Sequence, residues 1–245
     1  MHLTEKSLIQ SINSDLAEKG FGIVSDWGMK KYTKAARDEY IESLTKYETS
    51  PPKQKFHYSD LINKPHRKYA IGSKNGNGDP YPQLLQTTYL SKDHKDFPNL
   101  GKVFSYMINL RNTILDLDPD FGNNPARDGW WNACRIHHYP PGGGFMYAHR
   151  DTHFPSLLEK SGFPFLQMLV ILSTRNKDFS TGGGYVVTRD DEKIYYEDED
   201  SFGNIVFFDG SIIHGVDDID GEKLIDFKTP TGRVAGFVNQ YKVLD

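Results

Sequence analysis

Phe145-Met146-Tyr147-Ala148-His149-Arg150-Asp151 is the stretch whose reading decides the fold. In a strand, side chains alternate with a period of two, which puts Phe145, Tyr147, His149 and Asp151 on one face. A histidine and a carboxylate so placed are two-thirds of the set that holds Fe(II) on one side and leaves the opposite positions open. His214, in the β-like run 211–216, supplies the second imidazole, and Arg233, opening the run 233–242, supplies a cation able to grip an acid.

A His-x-Asp triplet by itself says little, since a chain of this composition contains about one by chance. This chain contains two. The other, His94-Lys95-Asp96, sits in the polar run Ser91-Lys92-Asp93-His94-Lys95-Asp96 with no apolar alternation around it, and reads as solvated surface.

At 245 residues the chain fits one domain with a real core. With 29 basic and 33 acidic residues the net charge is −4, which gives no electrostatic footprint for a nucleic-acid backbone. One cysteine, Cys134, excludes an internal disulfide framework and fits a reducing compartment. The opening Met1-His2-Leu3-Thr4-Glu5-Lys6 lacks a basic stretch followed by an apolar one, and the longest apolar run, around Leu166 to Leu172, is too short to span a bilayer. The expectation is a soluble, cytoplasmic protein without a membrane or nucleic-acid partner; no signature of an oligomeric state is present.

Residues 1–120 read as helix and loop. Leu3, Leu8, Ile9, Ile12 and Leu16 recur at helical spacing, Phe21-Gly22-Ile23-Val24 reads as a short strand, and a helix is expected over 29–47. Residues 51–95 are dense in turn formers and read as a long surface excursion, with lids drawn from 66–82 and 123–131. Apolar positions from Val103 to Leu115 suit an amphipathic helix over 100–117 that backs a sheet. After Trp130, eight short runs read as strands: 131–139, 145–151, 166–173, 184–188, 193–196, 203–209, 211–216 and 233–242. The cluster Glu197-Asp198-Glu199-Asp200 reads as a solvated turn. The predicted class is α+β with a mainly β core, a double-stranded β-helix (jelly roll) over 121–245 supported by helices and a lid over 1–120, all one domain.

Five motifs follow one another in this half. Tyr139-Pro140-Pro141-Gly142 precedes His149-Arg150-Asp151; a buried strand, Leu166 to Ser173, leads to Gly182-Gly183-Gly184-Tyr185; Gly203-Asn204-Ile205-Val206-Phe207-Phe208 leads to His214-Gly215-Val216; and Gly232-Arg233-Val234-Ala235 comes last. In this order, over about Trp131 to Tyr241, they resemble the 2-oxoglutarate and Fe(II)-dependent oxygenase superfamily, particularly its prolyl-hydroxylase-like branch.

The resemblance implies that His149, Asp151 and His214 ligate Fe(II), with 2-oxoglutarate and O2 as cosubstrates. It places the distal carboxylate of 2-oxoglutarate on Arg233, with Tyr139, Arg135, Gln167 and Ala235 nearby. A planar guanidinium suits that carboxylate because its donor fork makes two parallel hydrogen bonds. Lys223 and Lys228 are alternatives, since that branch often uses lysine, but both precede the Thr229-Pro230-Thr231-Gly232 turn, whereas Arg233 opens a core strand. An ordinary salt bridge to Asp217, Asp218, Asp220 or Asp226 is the competing reading of Arg233. The intact Asp151 favours hydroxylation, because relatives that halogenate replace that carboxylate with a small residue. Tyr147, His153, Arg67 and Trp131 are the candidate substrate contacts, and His66, Arg67, Lys68 and Tyr69 suit either an anionic substrate or a solvated basic patch. The implied activity is hydroxylation of a C–H bond in a small polar metabolite or amino-acid-like substrate, with succinate and CO2 as coproducts. Peptidyl or protein hydroxylation is one alternative. A non-catalytic cupin-like metal-binding module, a class that commonly uses more histidines, is the other.

Overall fold

Alternation in the C-terminal half is regular enough that each central strand serves two cores. A computed structural model describes residues 5–51, 54–72, 82–151 and 166–243. In chain order these form α1 (Glu5–Glu18), β1 (Phe21–Val24), α2 (Thr33–Lys46), β2 (His66–Gly72), β3 (Gln83–Leu90), α3 (Pro98–Ile114), α4 (Pro125–Asp128), β4 (Trp130–Tyr139), β5 (Gly144–His149), β6 (Leu166–Ile171), β7 (Gly183–Val187), β8 (Lys193–Tyr195), β9 (Ile205–Asp209), β10 (His214–Ile219) and β11 (Arg233–Lys242). On β6, Met168 and Val170 pack with the helices, while Leu169 and Ile171 face the opposite way, into the barrel. The same division separates Ile205 and Phe207 from Val206 and Phe208 on β9, and Val234 and Val238 from Ala235 and Phe237 on β11. Burial on both faces is why Met168 to Leu172 is continuously apolar rather than alternating.

The strands hydrogen-bond along one antiparallel path, β1-β9-β6-β11-β4-β3-β5-β10-β7-β8, with β2 on β3. Between β3 and β5 only Gln83–Met146 and Leu84–Phe145 pair. There the path turns from a major sheet, β1-β9-β6-β11-β4-β3-β2, into a minor one, β5-β10-β7-β8. This is the expected jelly roll with supporting N-terminal helices. The helices cover the outer face of the major sheet through Ile12 of α1, Ala36 and Tyr40 of α2, and Leu100, Val103, Phe104, Met107 and Ile108 of α3. Pro98 at its first turn starts α3. The Glu39 carboxylate of α2 accepts from the Asn99 and Leu100 amides at 3.0 Å, satisfying donors the helix cannot pair itself. Among the described residues no helix is long and apolar enough to cross a membrane.

Two expectations for the N-terminal half are overturned. Within 51–95, residues 66–72 and 83–90 are not a surface excursion: β2 and β3 pair as antiparallel strands, and β3 is an interior strand. Its polar residues hid it, because they are satisfied inside. The Gln86 side-chain oxygen accepts from Tyr40 at 3.3 Å, and the Thr88 hydroxyl accepts from Arg67 Nε at 3.1 Å. The glycine-rich 73–81 lies outside the described residues. His94 is buried rather than solvated, packed against Tyr47 and Phe97, and its Nδ1 accepts from the Asp96 amide at 3.1 Å.

Arg67, expected at the substrate, faces the helices. It is fully buried and donates to the Ser43 and Tyr47 carbonyls at 3.1 and 2.8 Å and to the Ser43 hydroxyl at 2.8 Å. It ties β2 to the end of α2. Arg67→Met is expected to lower unfolding free energy by about 2–4 kcal/mol in urea titration, through several charge-assisted hydrogen bonds. Mn(II) affinity should stay unchanged; a loss of metal binding without destabilisation would contradict this role.

Candidate active site

His149 ends β5 and His214 begins β10, and the two residues face each other across the antiparallel pair. Their ring centres are 4.2 Å apart. Each Nδ1 bonds the carbonyl two residues earlier, His149 to Tyr147 at 2.8 Å and His214 to Ile212 at 3.0 Å. A carbonyl only accepts, so both Nδ1 atoms carry the proton, which makes Nε2 the nitrogen of each ring suited to ligate a metal. Asp151 is carried there as the chain leaves β5, its amide donating to the Gly210 carbonyl at 2.8 Å. His149 Nε2 lies 3.8 Å from Asp151 Oδ1, and His214 Nε2 lies 3.7 Å from Oδ2. All three ligand atoms fall within 4.8 Å of one another, the only such group among the described residues.

Burial, then His214, pushes the His149 pKa down to about 3, against the Tyr147 hydrogen bond. Burial also lowers His214, although Asp151 opposes it. The imidazoles are therefore neutral near pH 7, and their approach to Asp151 is a pair of ligands converging rather than an ion pair. Gly215 follows His214 because a Cβ there would meet the Tyr185 hydroxyl at 2.7 Å and the Met146 carbonyl at 2.9 Å.

Asp151 is held from the major sheet. Gln167 of β6 donates to Asp151 Oδ2 at 2.7 Å, and Asn239 of β11 donates to the Gln167 side-chain oxygen at 2.8 Å. Gln167, expected near the cosubstrate carboxylate, thus positions the Asp151 side chain of the triad. Asn239 was not anticipated, although it shares a strand face with Arg233.

Arg233 is fully buried, and its partner is none of the four aspartates named from sequence. Its Nε donates to both Glu197 oxygens at 2.8 and 2.9 Å, and its Nη2 donates to the Tyr196 hydroxyl at 3.0 Å. Glu197 is buried and accepts from the Gly184 amide at 2.7 Å, so the solvated-turn reading of 197–200 fails at its first residue. A Cβ on Gly184 would come within 2.2 Å of the Tyr196 hydroxyl and 2.6 Å of Arg233 Nη2, which explains the glycine. Burial works against the Arg233 charge, but Glu197, Tyr196 and Tyr139 together raise its pKa. Lys223 is engaged by Asp220 at 2.8 Å, and Lys228 is exposed.

Arg233 Nη1 is buried without a hydrogen-bond partner. Beside it, the Tyr139 ring lies 5.0 Å from the guanidinium carbon. Burial pushes the Tyr139 phenol up to about 12, keeping it a donor. An unpaired buried donor costs about 1–3 kcal/mol, and an incoming carboxylate removes that cost. The triad suits Fe(II), and this orphaned N–H suits the distal end of a 2-oxo diacid.

Ala235 lines the barrel between Ile171 and His137 in register. Arg135 faces the interior and donates to the Tyr241 hydroxyl at 2.7 Å. Trp131 packs 5.6 Å from Tyr241. Tyr147 is 61% exposed, so strict alternation fails: β5 stops at His149, and its pairing with β10 shifts register twice. His153 lies outside the described residues.

Gln167→Leu should weaken Fe(II) or Co(II) binding about 10–100-fold in chelator competition, as losses of hydrogen bonds to metal ligands do; unchanged affinity would separate Gln167 from the centre. A pH dependence follows as well. His138, which bonds the Thr231 carbonyl at 2.7 Å, is pushed down to about 4, chiefly by burial, as His149 is to about 3. The unfolded chain takes up those protons first, so stability is complete above the ordinary histidine value and lost as pH falls toward 4. At pH 5 each such imidazole costs about 2 kcal/mol. The metal-free protein should therefore melt markedly lower at pH 5 than at pH 7, and an unchanged Tm would contradict neutral burial.

No protein-family sequence model matches the chain, and no curated protein matches it in sequence. Solved structures do match over nearly its whole length. A prolyl hydroxylase from Trichoplax adhaerens, in complex with a hypoxia inducible factor oxygen degradation domain peptide fragment, superposes with TM-score 0.57 at 13% identity, covering 97% of this chain and 90% of that one. A Pseudomonas putida prolyl-4-hydroxylase gives 0.52 at 15%, covering 96% and 100%. EctD from S. alaskensis with 2-oxoglutarate and 5-hydroxyectoine gives 0.56 at 13%, covering 95% and 76%. The chain has the fold of these oxygenase structures.

Proposed function

We propose that the protein is a 2-oxoglutarate- and Fe(II)-dependent dioxygenase that hydroxylates a C–H bond of a small polar or amino-acid-like substrate. One oxygen atom of O2 enters the substrate and the other enters succinate as 2-oxoglutarate loses CO2. The observation that carries this reading is the pairing, in one barrel, of a buried two-histidine, one-carboxylate cluster with a buried arginine whose Nη1 has no hydrogen-bond partner.

Bound together, iron and the 2-oxo acid supply the oxidising power for O2 activation. The remaining work belongs to the chain. His149, His214 and Asp151 hold the metal from one side, and Gln167 with Asn239 fixes the carboxylate. Arg233 and Tyr139 receive the distal carboxylate, while Glu197 balances the guanidinium and fixes its Nε, leaving Nη1 to the ligand. Phe208, 4.6 Å from the His214 ring, and the Leu169, Ile171 and Val206 side chains keep water from this wall. Asp151 fills the position that halogenating relatives open for chloride.

Peptidyl hydroxylation is the second reading. It is favoured by the outer position of β2, a sheet edge on which Tyr69 and Ile71 are exposed. A non-catalytic metal-binding module has no use for the Arg233, Tyr139 and Glu197 assembly.

The test is anaerobic titration with Fe(II) and 2-oxoglutarate, followed by O2 and succinate detection. The native protein should bind both and form succinate. Asp151→Ala should lose metal, and Arg233→Lys, which keeps the charge that balances Glu197, should bind 2-oxoglutarate about 30-fold more weakly or worse. Iron binding without 2-oxoglutarate binding would remove the cosubstrate half of the proposal.

A further inference from the structure

The adjacent strands β2, β3, β4 and β11 contain no aspartate or glutamate, yet carry Arg67, Lys68, Arg135, Arg233 and Lys242. Arg67 faces the helices, Arg233 is balanced by Glu197, and Lys242 ends its strand. Arg135 and Lys68 stand on the face that lines the barrel. The register sets Tyr89 between His66 and Arg135, and Thr87 between Lys68 and His137. Arg135 is half-buried, so solvent reaches it. Its guanidinium carbon lies 5.5 Å from the Phe237 ring and 6.0 Å from the Tyr241 ring, and Lys68 Nζ lies 5.9 Å from the Tyr89 ring. Phe56, 5.1 Å from Tyr89, and Trp131 extend an apolar wall outward from these groups.

The cluster adjoins the metal centre. Tyr241 is two residues beyond Asn239, whose bond to Gln167 leads to Asp151, and Asp151 is itself among the charges that act on the Tyr241 phenol. The local potential is positive: desolvation raises the Tyr89 phenol, but Arg135 and Lys68 pull it below its ordinary value. Arg135 is also distinct from the Arg233 anchor. Its position on β4 is four residues from Tyr139, the register partner of Arg233, or ~13 Å along the strand.

Resting on the oxygenase reading above, we propose that Arg135 is the substrate anchor and that the substrate is a small-molecule carboxylate, its acid group on Arg135 with Lys68 adding charge and its body against Tyr89, Tyr241, Trp131 and Phe56. A planar donor fork beside aromatic faces recognises a carboxylate better than a neutral amide of the same shape.

The test uses the full chain loaded with Mn(II) and 2-oxoglutarate. Butanoate and 3-phenylpropanoate are compared with butanamide and 3-phenylpropanamide through paramagnetic broadening of their proton signals. The acids should show saturable broadening with affinity about tenfold or more above the amides. Arg135→Gln should bring the acids down to the amides, and Arg135→Lys should retain part of the difference, with 2-oxoglutarate affinity in both variants close to native. Equal binding of acids and amides, or no saturable broadening by either acid, overturns the proposal. So does an Arg135→Gln protein that loses 2-oxoglutarate as severely as Arg233→Lys, because Arg135 would then belong to the cosubstrate. Should the native protein bind Mn(II) but not 2-oxoglutarate, the oxygenase reading fails, and the same acid-to-amide comparison on the metal-loaded protein decides the subsite.

Discussion

Between β4 and β11 ten consecutive pairs, from Tyr139–Arg233 to Trp130–Lys242, run without a break in register, and the chemistry of the barrel hangs on that ladder. It fixes which residues look inward. Arg233, Ala235, Phe237, Asn239 and Tyr241 stand opposite Tyr139, His137, Arg135, Ala133 and Trp131. A slip of one residue would exchange all of them with Val234, Gly236 and Val238. Val234, Val238, Cys134 and Ile136 prevent it, since they are buried against the helices and have no place in the polar interior. The hydrophobic packing on the outer face thus specifies the polar arrangement on the inner one.

The minor sheet behaves differently. Its pairing of β5 with β10 is interrupted between His214 and Val216 and again between Val216 and Ile219. Such irregularities re-aim side chains, which is why they gather near active sites. Here they let His149 and His214 converge while Tyr147 turns outward. A regular ladder carries Arg233 and Tyr139, a bulged one carries His149 and His214, and Gln167 joins them through one hydrogen bond to Asp151.

Legibility in the sequence followed the same physics. All eight strands expected after Trp130 exist, and β6 and β9 show most plainly because their inner and outer faces are both apolar. The β2 and β3 pair did not show, because Gln86, Thr87 and Thr88 are polar yet buried. Their partners, Tyr40 and Arg67, are distant in sequence, so no local pattern marks them as satisfied. Glu197 was lost among acidic neighbours, and only the fold reveals that it alone turns inward. Arg67 was misplaced for the related reason that parity cannot be assigned to a strand not recognised as one. Asn239 and Tyr241 were within reach: counting by twos from Arg233 arrives at both.

Charge accounting within the barrel connects these parts. Among the described residues that line it, Asp151 and Glu197 are the acids, Arg135 and Arg233 are buried or half-buried cations, and the imidazoles of His137, His149 and His214 are driven neutral by burial. The charges of these described side chains sum to zero, so a divalent ion on the triad would add two positive charges to them. In a poorly solvated site such an excess is strongly unfavourable. On the proposed reading, a dianionic 2-oxo acid held by Arg233 would remove it. Lys68 then stands at the mouth as one further cation, next to Arg135, and the charge it leaves over equals that of a single carboxylate. On the proposed reading, the residues that favour a diacid at the metal would also favour a monoacid at the mouth, and the order of binding that reading implies is metal, then diacid, then substrate.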